Sequence, residues 1–386
     1  MNDLMKRILN CLLGILVAAA SACAAEQGAD SQPWPAEKAS AWYAQKTWLV
    51  GCNFSPSTAI NQLEMWQADT FDPATIDREL GWAEQLGFTS VRVFLHHLLW
   101  QQDAKGFLKR MHQFLTIAHR HHIGVMFVLF DSCWDPDPKL GTQRAPKPFV
   151  HNSGWVQSPG REFMSHPERL DELEAYVKGV VGHFRNDRRI DFWDVYNEPD
   201  NLNDPAYRKL EPTNKVESAR LLLEKTFAWA RAAKPSQPLS SAPWLGPWAD
   251  PAKLSPMEKI QLEQSDIITF HNYDSLEKLK SCVENLRRYH RPVICTEYMA
   301  RPVGSRFDPN LRYLKEQNVG AYNWGFVSGK TQTIFPWDSW TKTYTNEPPV
   351  WFHDIFRVNG TPYDMKEVAF IKALTAPSSP LPSGRQ

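Results

Sequence analysis

Residues 190–199 read Ile-Asp-Phe-Trp-Asp-Val-Tyr-Asn-Glu-Pro, and the rest of the predicted fold is organised around them. The first part of this stretch is apolar and aromatic with interspersed acids, which is typical of a buried strand. The strand has to end by Pro199, because proline has no N–H to donate to a sheet ladder. Asn197 and Glu198 therefore lie side by side at a strand tip. A second carboxyl, Glu297, ends a similar apolar stretch further along the chain.

Strand-like and helix-like segments alternate on both sides of this stretch. The strand candidates cover residues 47–54, 89–96, 124–130, 190–199, 238–244, 266–273, 292–297 and 319–326. The helix candidates cover residues 72–86, 107–122, 168–184, 216–233, 255–264, 276–289, 309–317 and 364–374. Such alternation implies a parallel sheet with helices outside it.

Eight repeats predict that the sheet closes into a (β/α)8 TIM barrel, an α/β fold that forms one domain over residues 46–374. A doubly wound open sheet is the alternative. The first strand is followed by neither a GxGxxG nor a Walker loop, which disfavours that alternative.

The first 25 residues are predicted to be an export signal, because Lys6 and Arg7 precede an apolar run that ends in small residues. The protein is therefore expected in the periplasm or outside the cell. The apolar run is too short for a transmembrane helix. Two cleavage patterns remain open, ordinary signal peptidase cleavage or a lipoprotein-type signal that would leave a lipid anchor on Cys23.

Polar segments flank the predicted domain. Residues 26–45 contain Pro33 and Pro35 and are predicted to be a linker. Residues 375–386 are rich in proline and serine, which predicts a disordered tail.

The charge balance argues against one class of partner. Lys+Arg and Asp+Glu both number 43, so the chain offers no electrostatic reason to bind nucleic acid. The chain is instead rich in aromatic residues, with 16 tryptophans and 20 phenylalanines. Tryptophan beyond the needs of a core, placed in loops, is typical of surfaces that stack on sugar rings.

Four cysteines remain in the predicted domain, Cys52, Cys133, Cys282 and Cys295. An exported protein could pair them, but no CxxC spacing indicates a zinc site. We expect buried, mostly free thiols. Because Cys295 precedes Glu297 by two residues on one strand, the two side chains are expected on the same side.

The C-terminal ends of barrel strands are where TIM barrels build their active sites. Polar and aromatic residues occur at most of these ends. They are Arg92, Asp131, Asn197, Glu198, His271, Tyr273, Glu297 and Trp324. Any one of them has an ordinary structural explanation, but their arrival at successive strand tips predicts one shared site.

These residues also form motifs that occur in the order seen in one enzyme family. The motifs are Arg92 on the second strand, Asn197-Glu198-Pro199 on the fourth, His271-Asn-Tyr273 on the sixth, Thr296-Glu297-Tyr298 on the seventh and Asn323-Trp324-Gly325 on the eighth. With them the sequence resembles the glycoside hydrolases of the retaining barrel clan, clan A, and is most similar to family 5. One position departs from the pattern, because many members have a histidine where the third strand here ends in Asp131.

The resemblance implies that Glu198 is the general acid/base and Glu297 the nucleophile of a double displacement. Retaining enzymes hold these two carboxyl groups about 5–5.5 Å apart. The acid must be protonated at neutral pH, and the negative charge of Glu297 is expected to raise the pKa of Glu198 by like-charge repulsion.

Further roles follow from the same resemblance. Arg92 and Tyr273 are expected to hold the nucleophile, Asn197 to meet the sugar 2-hydroxyl, and Trp324 to form the floor under the ring being cleaved. Substrate-binding roles are also expected for Arg92, Tyr273, His271, Asp131, Trp134 and Trp337. The mechanism requires no metal and no cofactor, and the expected partner is an oligosaccharide or glycan.

Three long loops, residues 131–165, 199–215 and 328–350, are candidates for a substrate-binding wall. They carry Trp134, Trp155, Trp337 and Trp340. The tryptophans either pack the loops onto the barrel or wall the cleft into a pocket, and a pocket would favour exo cleavage of short oligosaccharides.

Residues 323–333 and 351–354 are similar to a family 5 subgroup of exo-acting β-mannosidases that attack Manβ1-4GlcNAc. The predicted function is therefore a retaining glycosidase, with β-mannosidase favoured. Endo-acting β-1,4-glucanase, xylanase or mannanase activity is the alternative. A non-catalytic carbohydrate-binding barrel is an alternative of another class, which the presence of both glutamates disfavours.

Overall fold

The computed structural model describes residues 32–246 and 248–376. The predicted export signal, the lipid anchor at Cys23 and the tail from residue 377 lie outside the described residues, and these remain predictions. Within the described ranges, no helix combines the length and the apolar character needed to cross a membrane.

Eight parallel strands form one sheet in the order β5-β4-β3-β2-β1-β8-β7-β6. Their bounds are β1 Val50–Asn53, β2 Ser90–Phe94, β3 Gly124–Val128, β4 Ile190–Asp194, β5 Leu239–Ser240, β6 Ile268–His271, β7 Val293–Tyr298 and β8 Gly320–Asn323. β1 pairs with β8 as well as with β2, so the sheet curls back on itself.

Two hydrogen bonds span the remaining gap between β5 and β6. The backbone N–H of Asp266 donates to the carbonyl of Leu239 at 2.8 Å, and that of His271 donates to the carbonyl of Pro243 at 3.2 Å. The predicted (β/α)8 TIM barrel is confirmed, and the doubly wound alternative is wrong.

Helices lie on the outside of the barrel in the predicted alternation. The main ones are Pro73–Gln85, His97–Arg120, Glu174–Phe184, Lys215–Ala232, Pro256–Gln264, Leu276–Leu286, Arg312–Glu316 and Met365–Thr375, with short helices at Gln62–Trp66 and Arg161–Ser165. Short 3-10 helical segments occur at Pro167–Leu173, Pro251–Lys253, Arg287–Tyr289, Arg301–Val303 and Trp337–Trp340, and a π-helical turn occurs at Phe307–Leu311. The helix predicted from residue 107 begins ten residues earlier, with a kink where Asp103 has non-helical φ and ψ.

The segment predicted to be a linker contains a helix, Ala36–Ala44. Its buried residues Ala39 and Tyr43 pack with Met126, Phe192 and Tyr322, which fill the barrel interior. This helix therefore belongs to the domain, and the linker prediction is wrong for these residues. The local sequence is polar enough to suggest a linker, because only one narrow face of the helix is buried.

Strand β2 shows how an apolar strand carries a charged group into the site. Val91 and Val93 pack into the core between the barrel and its helices. Arg92, between them, points the other way because side chains alternate along a strand, and it is fully buried.

Strand β7 departs from strict alternation. Its register with β8 shifts between Cys295 and Tyr298, and both residues belong to the core between barrel and helices. Cys295 therefore does not share the side of Glu297, and that expectation is wrong because a register shift breaks the period of two. The four cysteines are free thiols, as expected.

Candidate active site

Glu198 and Glu297 meet at the C-terminal rim of the barrel. Both are buried, and a carboxylate oxygen of each lies within 4.8 Å of the other and of a ring nitrogen of His271. Retaining glycosidases hold their carboxyl groups about 5–5.5 Å apart, whereas inverting enzymes need roughly 6.5–9.5 Å. The separation therefore suits direct attack by one carboxylate and not a water held between the two.

Arg92 holds the nucleophile candidate from below. Its guanidinium lies 2.6 Å from Oε1 of Glu297 and 2.7 Å from Oδ2 of Asp194. It also donates to the side-chain oxygens of Asn53 at 2.8 Å and of Asn197 at 2.6 Å. Arg92 is fully buried and does not line the cavity, so the expectation that it contacts substrate is wrong.

Asp194 and Asn53 were missed by sequence reasoning. Asp194 was visible only as one of the acids interspersed in the 190–199 stretch, and Asn53 as a polar residue near the end of the first strand. Both become recognisable once the barrel is closed, because each of them contacts the buried guanidinium.

The Glu297 carboxylate is the better candidate for the ionised group. Burial raises the pKa of Glu297, while His271 and the Arg92 guanidinium act in the opposite direction. The hydroxyl of Tyr273 donates to its second oxygen, Oε2, at 2.7 Å. A cation and a hydroxyl donor together stabilise an anion, which is the state that a nucleophile requires.

The Glu198 carboxyl is the better candidate for the protonated group. Burial is the main cause that raises the pKa of Glu198, so the predicted explanation by repulsion from Glu297 is secondary at most. No cationic side chain of the described residues lies within hydrogen-bond distance of this carboxyl. The residue has a left-handed backbone conformation, with φ of 43°, which turns its side chain into the cavity.

His271 lies between the two acids. Its Nδ1 is 2.8 Å from Oε1 of Glu198 and 3.6 Å from Oε2 of Glu297. Burial lowers the pKa of His271 to about 4, so the ring is neutral at physiological pH. These three side chains are ligand types that a metal ion could use, but the Arg92 guanidinium already supplies a positive charge beside Glu297, which disfavours a cation there.

Asp131 does not line the cavity and is almost fully buried, so its expected contact with substrate is wrong. Its carboxylate accepts hydrogen bonds from Asn197 Nδ2 at 2.9 Å and Trp155 Nε1 at 2.6 Å, and from Gln62 Nε2 and the Cys133 backbone N–H. Burial raises the pKa of Asp131 to about 6. Its role is to orient Asn197, whose amide then faces the site.

A cavity of about 950 Å³ opens above the two glutamates. Asn197, His271 and Tyr273 reach it, as do the predicted Trp134, Trp324 and Trp337. Among the described residues, six tryptophans line it, Trp134, Trp244, Trp248, Trp324, Trp337 and Trp340. Trp244 and Trp248 were missed because the strand before them is only two residues long and gave a weak signal.

One side of the cavity is closed by a bridge between two loops. Residues 131–165 follow β3 and residues 328–354 follow β8, and they meet across β1 and β2; we call them the bridged side. The rings of Trp134 and Trp340 stack with centroids 5.4 Å apart. Hydrogen bonds join the same loops. The backbone N–H of Asn152 donates to the Thr331 carbonyl at 2.8 Å, and that of His151 donates to the side-chain Oγ of Ser339 at 2.9 Å.

The opposite side of the cavity is formed by the segments that follow β4, β5 and β6; we call it the open side. Its wall is mixed in character. It includes Asp200, Leu202, Arg208, Leu245 and Lys278. Leu245 is 62% exposed, which shows how far this side opens to solvent.

Fold and site together define the class of protein, a TIM barrel with a buried carboxylate pair at its rim, as in the retaining glycoside hydrolases. The family model "Glycosyl hydrolase family 10" matches residues 149–241, which include Glu198. Family 10 belongs to clan A, the clan that the sequence resembles. Comparison with curated protein sequences gives no match.

Solved structures that are similar to this chain include glycoside hydrolases. A GH5_18 enzyme variant from Streptomyces cattleya in complex with Manβ1-4GlcNAc has 15% identity and a TM-score of 0.57, with 88% of this chain and 83% of that chain covered. A β-mannanase from the blue mussel Mytilus edulis has 14% identity and a TM-score of 0.53, with coverages of 86% and 92%.

A third similar structure is the exo-β-1,4-mannosidase of Opitutaceae bacterium strain TAV5. It has 18% identity and a TM-score of 0.54, with 85% of this chain and 59% of that chain covered. The chain therefore has the fold of the clan A barrels that include family 5, as the sequence predicted.

Proposed function

We propose that this protein is a retaining β-glycosidase. The observation that carries the proposal is the pair of buried carboxyl groups with oxygens within 4.8 Å, of which only Glu297 is paired with a guanidinium. Two chemically identical groups with different surroundings can divide the roles of nucleophile and acid between them.

The reaction proceeds in two displacements. Glu297 attacks the anomeric carbon while Glu198 protonates the glycosidic oxygen, so the carbon–oxygen bond breaks and the leaving sugar departs. The glycosyl ester removes the charge of Glu297, which makes it easier for Glu198 to remain ionised. Glu198 then takes a proton from water, the water oxygen attacks the anomeric carbon, and Glu297 is released with the configuration retained.

The shape of the cavity supports exo action. The Trp134–Trp340 stack and the hydrogen bonds between the two loops wall the cavity on the bridged side, whereas the open side lies next to the acid Glu198, where the leaving group departs. The sugar that is cleaved is therefore the non-reducing terminal residue of a short chain.

A β-mannoside such as Manβ1-4GlcNAc is the substrate that we propose. Two observations support it, the pocket-like cavity and the similarity of the fold to an enzyme bound to Manβ1-4GlcNAc and to an exo-β-1,4-mannosidase. Endo-mannanase action is the second candidate, because a β-mannanase is among the similar structures.

The test combines one variant with a substrate panel. Glu297→Ala is expected to lower turnover of the best substrate by about 10⁴-fold or more, because it removes the nucleophile. Azide should then restore activity and yield a glycosyl azide of inverted configuration. Glu284→Ala, an exposed glutamate on helix Leu276–Leu286, is the matched control and should keep full activity.

The panel comprises 4-nitrophenyl β-mannoside, β-glucoside and β-xyloside, Manβ1-4GlcNAc, and β-mannan. Release of single mannose units from the β-mannosides is the expected result. Internal cleavage of mannan would contradict exo action. Sugar binding by the wild-type protein without any cleavage would contradict the enzyme and favour a binding barrel.

A further inference from the structure

The two oxygens of the Glu198 carboxyl have different surroundings. Oε2 accepts from the Asn201 amide at 2.7 Å and from the Cys133 thiol at 3.3 Å. Oε1 faces Nδ1 of His271 at 2.8 Å. An oxygen that already receives two donors is a poor place for a proton, since the added hydrogen would face other hydrogens.

The orientation of the Asn201 amide follows from its neighbour. The backbone N–H of Asn203 lies 2.7 Å from the other end of the Asn201 side chain. A backbone N–H can only donate, so that end is the oxygen, and the NH₂ group faces Glu198. The Asn201 N–H also donates to the Glu198 carbonyl at 2.9 Å, which closes the turn that holds both residues.

The orientation of the thiol follows in the same way. The sulfur of Cys133 lies 3.5 Å from Nδ2 of Asn197 and 3.6 Å from Nδ2 of Asn201. The Asn197 oxygen is occupied by Arg92, so Asn197 must present its NH₂ group to the sulfur. Both amides donate to the sulfur, which leaves the S–H hydrogen free to be donated to Glu198.

We propose that Cys133 and Asn201 form a donor clamp on Oε2 of Glu198, which confines the transferable proton to Oε1 and sets the pH above which the acid fails. The inference rests on the acid/base role given to Glu198 under the proposed function. Cys133 and Asn201 are positioning residues, because they act on the reaction through Glu198.

The electrostatic surroundings agree with this clamp. Burial raises the pKa of Glu198, and the donors on Asn201 and Cys133 act against that rise. Arg92 also favours the anion, whereas Asp200 disfavours it. Neutral His271, ionised Glu297, the Tyr273 hydroxyl and the buried Asp131, whose pKa burial raises to about 6, also interact with this carboxyl. None of these other groups changes when the clamp is altered, so a shift caused by a clamp variant can be assigned to it.

The test is the alkaline limb of the kcat/KM–pH profile, which reports the acid of the free enzyme. Cys133→Ala removes a donor to the anion, so the pKa of Glu198 rises and the limb moves to higher pH. Cys133→Ser places a stronger donor there, so the limb moves to lower pH. Asn201→Ala should move it to higher pH by more than Cys133→Ala does, because the amide contact is shorter.

A non-specific loss of packing at residue 133 would not move the alkaline limb in opposite directions for the serine and the alanine variant. Cys52→Ser is the matched control, because it makes the same atomic change in the core between barrel and helices and should leave the limb in place. Shifts of the same sign for both Cys133 variants, or none, would overturn the clamp.

A second readout separates this inference from the proposed function. Carboxyl ¹³C NMR of protein labelled at glutamate, with the Glu198 signal assigned by Glu198→Gln, follows the titration without substrate. If that titration moves as described while no glycoside is cleaved, the clamp stands and the glycosidase proposal fails. If glycosides are cleaved and the Glu198 titration is the same in all the clamp variants, the clamp fails alone.

Discussion

The two sides of the barrel mouth differ in how they are built. The bridged side joins loops nearly two hundred residues apart in sequence through a tryptophan stack and backbone hydrogen bonds. The open side carries an exposed Leu245 and two cationic side chains, Arg208 and Lys278. One barrel mouth can therefore be walled by long-range contacts on one side and open to solvent on the other, and under the proposed function the walled side would hold the terminal sugar while the open side would receive the leaving group.

Of the variants that test this comparison, removal of the acid Glu198, which lies on the open side, should lower activity most. Glu198→Ala is expected to lower kcat/KM for Manβ1-4GlcNAc by about 10²–10⁴-fold, because the leaving sugar is no longer protonated. With 2,4-dinitrophenyl β-mannoside the loss in the first displacement should be small, because that leaving group needs no proton. A pre-steady-state burst followed by slow turnover is the measurement, and equal first-step losses with both leaving groups would place the acid elsewhere.

Substitution of Asp131, which links the two sides by hydrogen bonds, should have the next largest effect on activity. Asp131 ties Trp155 of the bridged side to Asn197 beside the acid. Asp131→Asn makes one of its oxygens a donor, so Asn197 loses its position, and kcat should fall by about 10²-fold for a displacement near 1 Å.

The control for that variant is Asp171→Asn, which makes the same change in an exposed residue paired with Lys225. A rise in KM with unchanged kcat in Asp131→Asn would instead indicate that Asp131 contributes uniform binding, against the positioning role.

Two tryptophan variants, one on each side of the mouth, should have smaller effects on activity and compare the two sides directly. Trp340→Ala removes the stack that closes the bridged side, and it should lower kcat/KM for 4-nitrophenyl β-mannoside by roughly 10-fold, in line with about 1 kcal/mol for an aromatic pair plus lost burial. It should also allow slow cleavage within longer mannans.

Trp244→Ala makes the same change on the open side. It should affect Manβ1-4GlcNAc more than the nitrophenyl substrate, because only the former has a second sugar on that side. The same product pattern from both tryptophan variants would remove the distinction between the two sides.

How much could be predicted differs between elements. The eight strands and their alternation with helices were predictable from hydrophobic period and turn signals, because those are local. Helix Ala36–Ala44 was not, since it is stabilised by contacts of Ala39 and Tyr43 with residues from distant strands. The side of Cys295 was also missed, because a register shift arises from pairing with β8 and leaves no local signal.

The barrel, the two glutamates at strand tips and the tryptophans in the loops could be predicted without coordinates, because strand period and strand ends depend on neighbouring residues. The folded structure was needed to show that Asp194 and Asn53 also hold Arg92, that Asp131 supports Asn197 instead of touching substrate, and that Cys133 contacts Glu198. The physical reason is that charge pairing, burial and hydrogen-bond direction depend on groups from separate strands, and these meet only when the barrel closes.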